Sequence, residues 1–525
     1  MKHILTKIAF GAALVLGASS CNMELRPYSV IDPDNALETY EDAQNLANGF
    51  NVQIRSLASG ALIYSPELQS DLFHAVQDFG NRGGTLYRWE FTASEGIFES
   101  AFGACYSAIG SANYFIEKAN NIFKRVESDA AFAETWTDEE LDLLRGHMSE
   151  AYFLKAYAYS ILVDKFCPAY DSETADDDDT GIPIVDVYNP TPDKSTYPGR
   201  ATLEESFDEI YENLDAAEEF IGNVHQPAAG SNYITVDAVY ALRARVALMR
   251  QDYETAMEET QKLIGASSSH TYSLQSGEKA LENLWVNDSQ PKEVILQCFA
   301  SKPDELPSSS NYGYIGYNVN LDQYTPDFVP EQSFIDLFTE SDYRKAVYFD
   351  QQRLTFSTGE TEPLLIFNKF PGNPSLSVSD KVKNYCNAPK PFRIAEIYLI
   401  AAEAYYYMNW YKESAEMINT LKSSRIANYV DPGLAGRPDE LLQQIKEERI
   451  RELAGEGFRI SDLKRYGDGM QRGEPQETSI VSRVPSEELT VSLNVEAGNY
   501  RFVWAIPQVE VDANPQIKQN KGYTN

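Results

Sequence analysis

The stretch Glu448-Arg449-Ile450-Arg451-Glu452-Leu453-Ala454-Gly455-Glu456-Gly457-Phe458-Arg459-Ile460-Ser461-Asp462-Leu463-Lys464-Arg465-Tyr466-Gly467 sets charges of opposite sign three residues apart. Arg449 with Glu452, Glu456 with Arg459 and Asp462 with Arg465 each stand at i,i+3, where side chains on a helix are neighbours. The spacing predicts ion pairs that orient the last helices, not an acid/base site. Outward from it, helical periodicity dominates and strand signals are sparse. A helix hairpin is expected over 391–426, with Ala401, Ala402 and Ala404 as small residues at its crossing. Another is expected over 235–249 and 252–264, joined by little more than Gln251, with Ala244, Tyr253 and Ala256 at spacings found in tetratricopeptide repeats. Thr202 and Glu205 form a capping box for a helix reaching about Ile221. Further helices are predicted at about 137–164, 97–126 and, capped by Asp34, up to Leu57. The expected fold is all-α: stacked helical hairpins carrying long irregular excursions at 60–96, 165–200, 266–332, 350–390 and 467–525.

The chain has 525 residues, 44 Lys plus Arg against 79 Asp plus Glu, and a formal charge of −35. Such a surface repels nucleic acid. With 43% hydrophobic residues, 33 Tyr and 25 Phe, disorder is not expected either. At the N-terminus, Lys2 and Lys7 precede an apolar run from Ile8 to Ala18 that ends in Ser19-Ser20-Cys21. That run is too short for a ~30 Å hydrocarbon core and has the form of a secretory signal peptide. Leu16-Gly17-Ala18-Ser19-Ser20-Cys21 resembles a bacterial lipobox, in which cleavage precedes a cysteine that is then acylated. The remaining cysteines, Cys105, Cys167, Cys298 and Cys386, are too far apart for a zinc knuckle or redox pair and are expected as buried thiols.

Residues 448–467 resemble the signature of the SusD/RagB family of outer-membrane nutrient-binding lipoproteins, with Tyr466 where the family usually has Trp. Glu150–Tyr159 and Arg393–Tyr405 are similar to its central and late helices. Trp504-Ala505-Ile506-Pro507, Asn514-Pro515 and Gln519-Asn520-Lys521-Gly522-Tyr523 resemble its tail. The resemblance implies a tetratricopeptide-based scaffold that acts as the lid of a SusC-like TonB-dependent transporter, binding glycans or sometimes peptides without catalysis or cofactor. It divides the chain into a signal peptide (1–20), a lipid-anchored tether (21–33) and one helical domain (34–525), whose N-terminal part ends at about 265 and whose signature-bearing part runs from 266. Many surface-displayed relatives carry several acids after the lipidated cysteine. Here Cys21 is followed by Asn22, Met23 and a single Glu24.

Other chemistries find little support. Asp179-Thr180-Gly181 matches half of an aspartic-protease dyad, and no second copy occurs. Counting an EF-hand from Asp176 puts Val187 where the bidentate Glu must stand. His74, His147, His225 and His270 lack metal-ligand spacing. A glycosidase pair among so many acids has no specific signal. The affirmative reading is glycan recognition, in which aromatic rings meet sugar C–H faces while amides, carboxylates and guanidiniums meet hydroxyls. Two stretches have that inventory. One offers Asp71, Asp78, Asn81, Arg82, Tyr87, Arg88 and Trp89 around Gly83-Gly84; the other offers Tyr312, Tyr314, Tyr317 and Tyr324 among glycines and asparagines. The competing reading for each is that the rings plug loops onto helices. Peptide or glycoprotein import on the same scaffold, and a tetratricopeptide assembly factor, are the rival functions.

Overall fold

The computed structural model describes residues 37–77, 79–222, 224–289, 291–309, 312–355, 361–379, 383–479 and 493–524. The signal peptide, Cys21, the tether, Asp34 and Asp78 lie outside them.

Nine helices stack side by side: α1 (Tyr40–Leu57), α3 (Gly96–Ser128), α4 (Asp138–Phe166), α5 (Leu203–Phe220), α6 (Val236–Arg250), α7 (Tyr253–Ile264), α9 (Ile394–Tyr407), α10 (Tyr411–Arg425) and α11 (Pro438–Leu453). Threonine caps start three of them. Thr39 with Asp42, Thr137 with Glu140 and Thr202 with Glu205 each satisfy orphan amides at both ends of a capping box. The first helix thus begins at Thr39, where Asp42 accepts from the Thr39 amide at 2.9 Å. Between α6 and α7 the chain reverses through Gln251 in the left-handed region (φ 61°), and Asp252 caps the return helix by accepting from Thr255 N. Ala244 and Ala256 are fully buried where this pair packs, and Tyr253 stacks on Tyr407 of the second hairpin at 4.5 Å. The four cysteines Cys105, Cys167, Cys298 and Cys386 are free, buried thiols.

The excursions hold more structure than their sequence signals. Residues 60–96 contain α2 (Ala61–Gln69), whose Leu62, Ser65, Pro66, Glu67, Leu68 and Gln69 are all buried. Only Ala61 is exposed, with Ile63 and Tyr64 half-buried, so the helix has no polar face and no amphipathic stripe to announce it. A second short helix, α8 (Glu278–Trp285), precedes the β-rich part. There β1 (Phe73–Ala75) pairs antiparallel with β4 (Phe328–Pro330), joining the two aromatic stretches through His74 opposite Val329. A four-stranded sheet runs β2 (Tyr317–Asn318), β3 (Gln323–Tyr324), β5 (Phe349–Thr355), β6 (Thr361–Phe367). Phe73, Tyr314, Phe328, Phe334 and Phe367 form its own core, separate from the helical one.

The signature residues join these two cores, by pairings other than the i,i+3 set. α11 and α12 (Arg459–Tyr466) carry them. Glu452, fully buried, accepts from Arg393 (2.9 Å), Arg425 (3.0 Å) and Arg344 (3.0 Å). Glu456 pairs with Lys369 and Arg393, each at 2.6 Å. Arg459 forks onto Asp71 at 2.8 and 2.6 Å, and Arg449 reaches Asp462 at 2.8 Å. Of the three expected local pairs only Asp462 with Arg465 forms, at 3.1 Å. A buried charge takes the partner that desolvates with it, and here that partner comes from another segment. Burial pushes the Glu448 carboxyl up, but Arg344, Arg451 and Lys422 pull it down to about 2. The same contest, won by Arg425 and Arg393, holds Glu452 well below the usual carboxylate range.

Candidate glycan-binding site

The structure brings the two predicted stretches together but turns most of their rings inward. Trp89 is buried, its indole N–H donates to Gln69 O at 2.8 Å, and its ring meets Phe502 edge-on at 4.8 Å. Tyr87 is buried beneath the Arg472 guanidinium, 3.9 Å from the ring centroid. Tyr314 stacks on Phe73 at 4.4 Å inside the excursion core. No face of these three rings is left for a sugar. Asp71 is spent on Arg459. Tyr312 opens the short helical turn Tyr312–Ile315.

What remains at the surface is polar on one loop and aromatic on the other. Asn81, exposed and at φ 61°, accepts from Arg88 at 2.8 Å. Arg82 bonds Asp327 at 2.6 Å while its side chain stays 58% exposed, tethering this loop to the segment that leaves β3. The aromatic part is the β2–β3 hairpin. Tyr317 and Tyr324 face each other across the ladder, ring centroids 4.8 Å apart and 47° between planes, both half-buried. Gly316 makes the hairpin's entry possible: at φ 56° a Cβ there would lie 2.2 Å from Thr325 O. At the tip, Asn318 Oδ1 accepts from Asn320 N at 3.0 Å and Leu321 N at 3.2 Å, an Asx turn that leaves Leu321 62% exposed. Tyr317 donates to Asp322 at 2.8 Å, a bond that raises its phenol pKa, and burial raises that of Tyr324, so both rings stay neutral.

Two residues outside the predicted set complete this rim. The Tyr385 hydroxyl accepts from Tyr317 N at 2.8 Å and donates to Tyr317 O at 3.3 Å, fixing the base of the hairpin. Lys383 places its ammonium 6.0 Å from the Tyr317 ring centroid. Neither is foreshadowed in sequence, because some sixty residues separate them from the hairpin.

Paired tyrosines, amides and charges thus stand together on a loop excursion carried by stacked helical hairpins. The family described as starch-binding and associating with the outer membrane matches residues 31–248, and the SusD family matches 354–523. The chain belongs to the SusD/RagB family. Among solved structures, a putative sugar binding protein from Bacteroides vulgatus superposes with a TM-score of 0.71 at 22% identity, covering 93% of this chain and 100% of that one. A SusD superfamily protein from Bacteroides thetaiotaomicron gives 0.72 at 21% identity over 92% and 99%. A SusD-like protein of Formosa agariphila is 26% identical over 199 residues, 38% of this chain, so the match spans about a third (34%) of that relative. The protein is thus SusD-like, and the description of one of its two matching models is starch-binding in association with the outer membrane. Among the described residues no helix is long and apolar enough to cross a membrane.

Proposed function

We propose that this protein captures oligosaccharides at the cell surface and hands them to a SusC-like TonB-dependent transporter, held to the outer membrane by lipid on Cys21 and the tether 21–33, with 34–525 acting as one domain. The observation that carries the binding step is the Tyr317–Tyr324 pair, two neutral rings at the rim flanked by Asp322, Asn318, Asn320 and Lys383. Ring faces accept sugar C–H groups while the amides and charges beside them exchange hydrogen bonds with hydroxyls. Arg82 and Asn81, across the Arg82–Asp327 tether, extend the polar side of this surface. Isothermal titration of the mature chain against a panel of oligosaccharides and peptides tests the reading. Heat with at least one glycan and none with peptides is expected; peptide binding alone would overturn it. The anchor has its own check: Cys21→Ala should leave the membrane fraction on carbonate washing.

A further inference from the structure

Two buried carboxyls fasten the excursion to the C-terminal part of the chain in the same way. Glu67, in α2, accepts from Gly457 N at 2.7 Å, and Glu331, directly after β4, accepts from Gly473 N at 2.8 Å. Gly457 lies between α11 and α12, and Gly473 follows the strand Met470–Arg472, whose Met470 packs into the helical core. Each carboxyl side chain belongs to a residue only 1% exposed. In each, Oε1 takes the glycine amide while Oε2 is buried without a hydrogen-bond partner among the described residues. Ser333 adds a second bond to Glu331 Oε1 at 2.8 Å, and a Cβ at position 473 would lie 2.8 Å from that oxygen, so the joint closes tightly.

The charges that face these carboxyls are engaged elsewhere. Near Glu67, Lys369 bonds Glu456 and Lys165 bonds Asp164, each at 2.6 Å, while the Gly455 amide and the Tyr314 phenol also face it. Near Glu331, Asp71 is forked by Arg459, and Arg472 donates to the carbonyls of Leu68, Ser70 and Tyr87. His74, fully buried, faces the Gly473 backbone, and burial pushes its imidazole down to about 3. Burial is also the largest influence on the two carboxyls and pushes each up to about 7.

We propose that Glu67 and Glu331 form a proton-operated clasp, which closes the excursion onto the C-terminal segments while both are neutral and lets that joint open locally when they ionise. A carboxyl raised in the fold contributes fully below its ordinary 4.5 and loses that contribution as pH rises through about 7. His74 acts in the opposite sense, since an open joint lets it protonate in acid, so the clasp is read by comparing variants at one pH. It is a property of the joint and stands whether or not the rim binds glycan.

The test is hydrogen exchange of the mature chain, of Glu67→Gln, of Glu331→Gln and of the double variant, at about pH 5 and about pH 7.5. Gln keeps the shape and the acceptor for the glycine amide but cannot ionise. In peptides from α2, β1 and β4, the ratio of wild-type to double-variant opening should grow by roughly a hundredfold or more between the two conditions, and by roughly tenfold or more for each single variant. Peptides from α6 and α7 should exchange alike in all four proteins. Infrared spectra at about pH 6 should show less protonated-carboxyl absorption in each single variant than in wild type, and the singles carry both measurements if the double variant does not fold. A ratio that stays constant with pH, an equal change in α6 and α7, or undiminished protonated-carboxyl absorption would each overturn the proposal.

Discussion

Around Glu452 the protein buries three guanidiniums and several carboxylates, whereas at residues 317–324 it leaves two tyrosines at the surface. Each region reverses the usual sorting of charge outward and rings inward. The reversal has a different basis in each. Arg344, Arg393 and Arg425 come from three segments and converge on one carboxylate, so removing any partner strands a charge in the core. The rim tyrosines satisfy their hydroxyls or keep them in reach of water, and their neighbours are polar. The first arrangement holds the fold together, and the second leaves surface for a ligand.

The largest expected effect falls on the charged interior. Glu452→Gln should cost about 3–5 kcal/mol, because it leaves three buried arginines short of charge. Chemical denaturation should show it, and the fraction that folds should bind glycan as wild type does. A variant of full stability would dissolve the contrast between the regions. Arg459→Ala should cost about 1–3 kcal/mol by freeing Asp71, with glycan affinity unchanged. If affinity collapsed while the melting temperature held, the signature would belong to the binding surface.

On the other side of the comparison, Tyr324→Ala should weaken oligosaccharide binding by about 1–2 kcal/mol, roughly five- to thirtyfold in Kd by titration, with unfolding unchanged. Trp89 gives the converse control, since its ring is core. Trp89→Ala should lower stability and leave the Kd of the folded protein alone.

The pH response should be the most informative about the interior. Glu448 sits at about 2 in the fold, against 4.5 unfolded, so its contribution is present above 4.5 and lost as pH falls towards 2. Glu67 behaves oppositely. Burial pushes it up to about 7, although Gly457 N donates to it at 2.7 Å. Its contribution is therefore complete below 4.5 and lost as pH rises through about 7. Stability should peak between those limits, and Glu67→Gln should recover about 1–2 kcal/mol at pH 8, read from denaturant midpoints at several pH values.

The helices that pack on one face were legible in the sequence. Ala43, Ala47 and Phe50 make a buried stripe along α1, and the Thr202–Glu205 box opens α5 as its residues require. α2 was not legible, because burial of nearly its whole length leaves no polar face to set a period. Of the candidate site, composition singled out two stretches that the fold brings together, but it could not tell Tyr314 from Tyr317, three residues apart, one stacked on Phe73 and the other half-buried on the hairpin.

By itself the sequence determined the elements whose cause is local: caps, the Gln251 reversal, the small residues at helix crossings, and the motifs that announce the family. Tertiary structure alone decided which ring faces solvent and which carboxylate meets which arginine. Those outcomes depend on what a distant segment brings, as Asp71 does to Arg459 and Tyr385 to Tyr317, and desolvation rewards the partner that is nearest in space, whatever its distance along the chain.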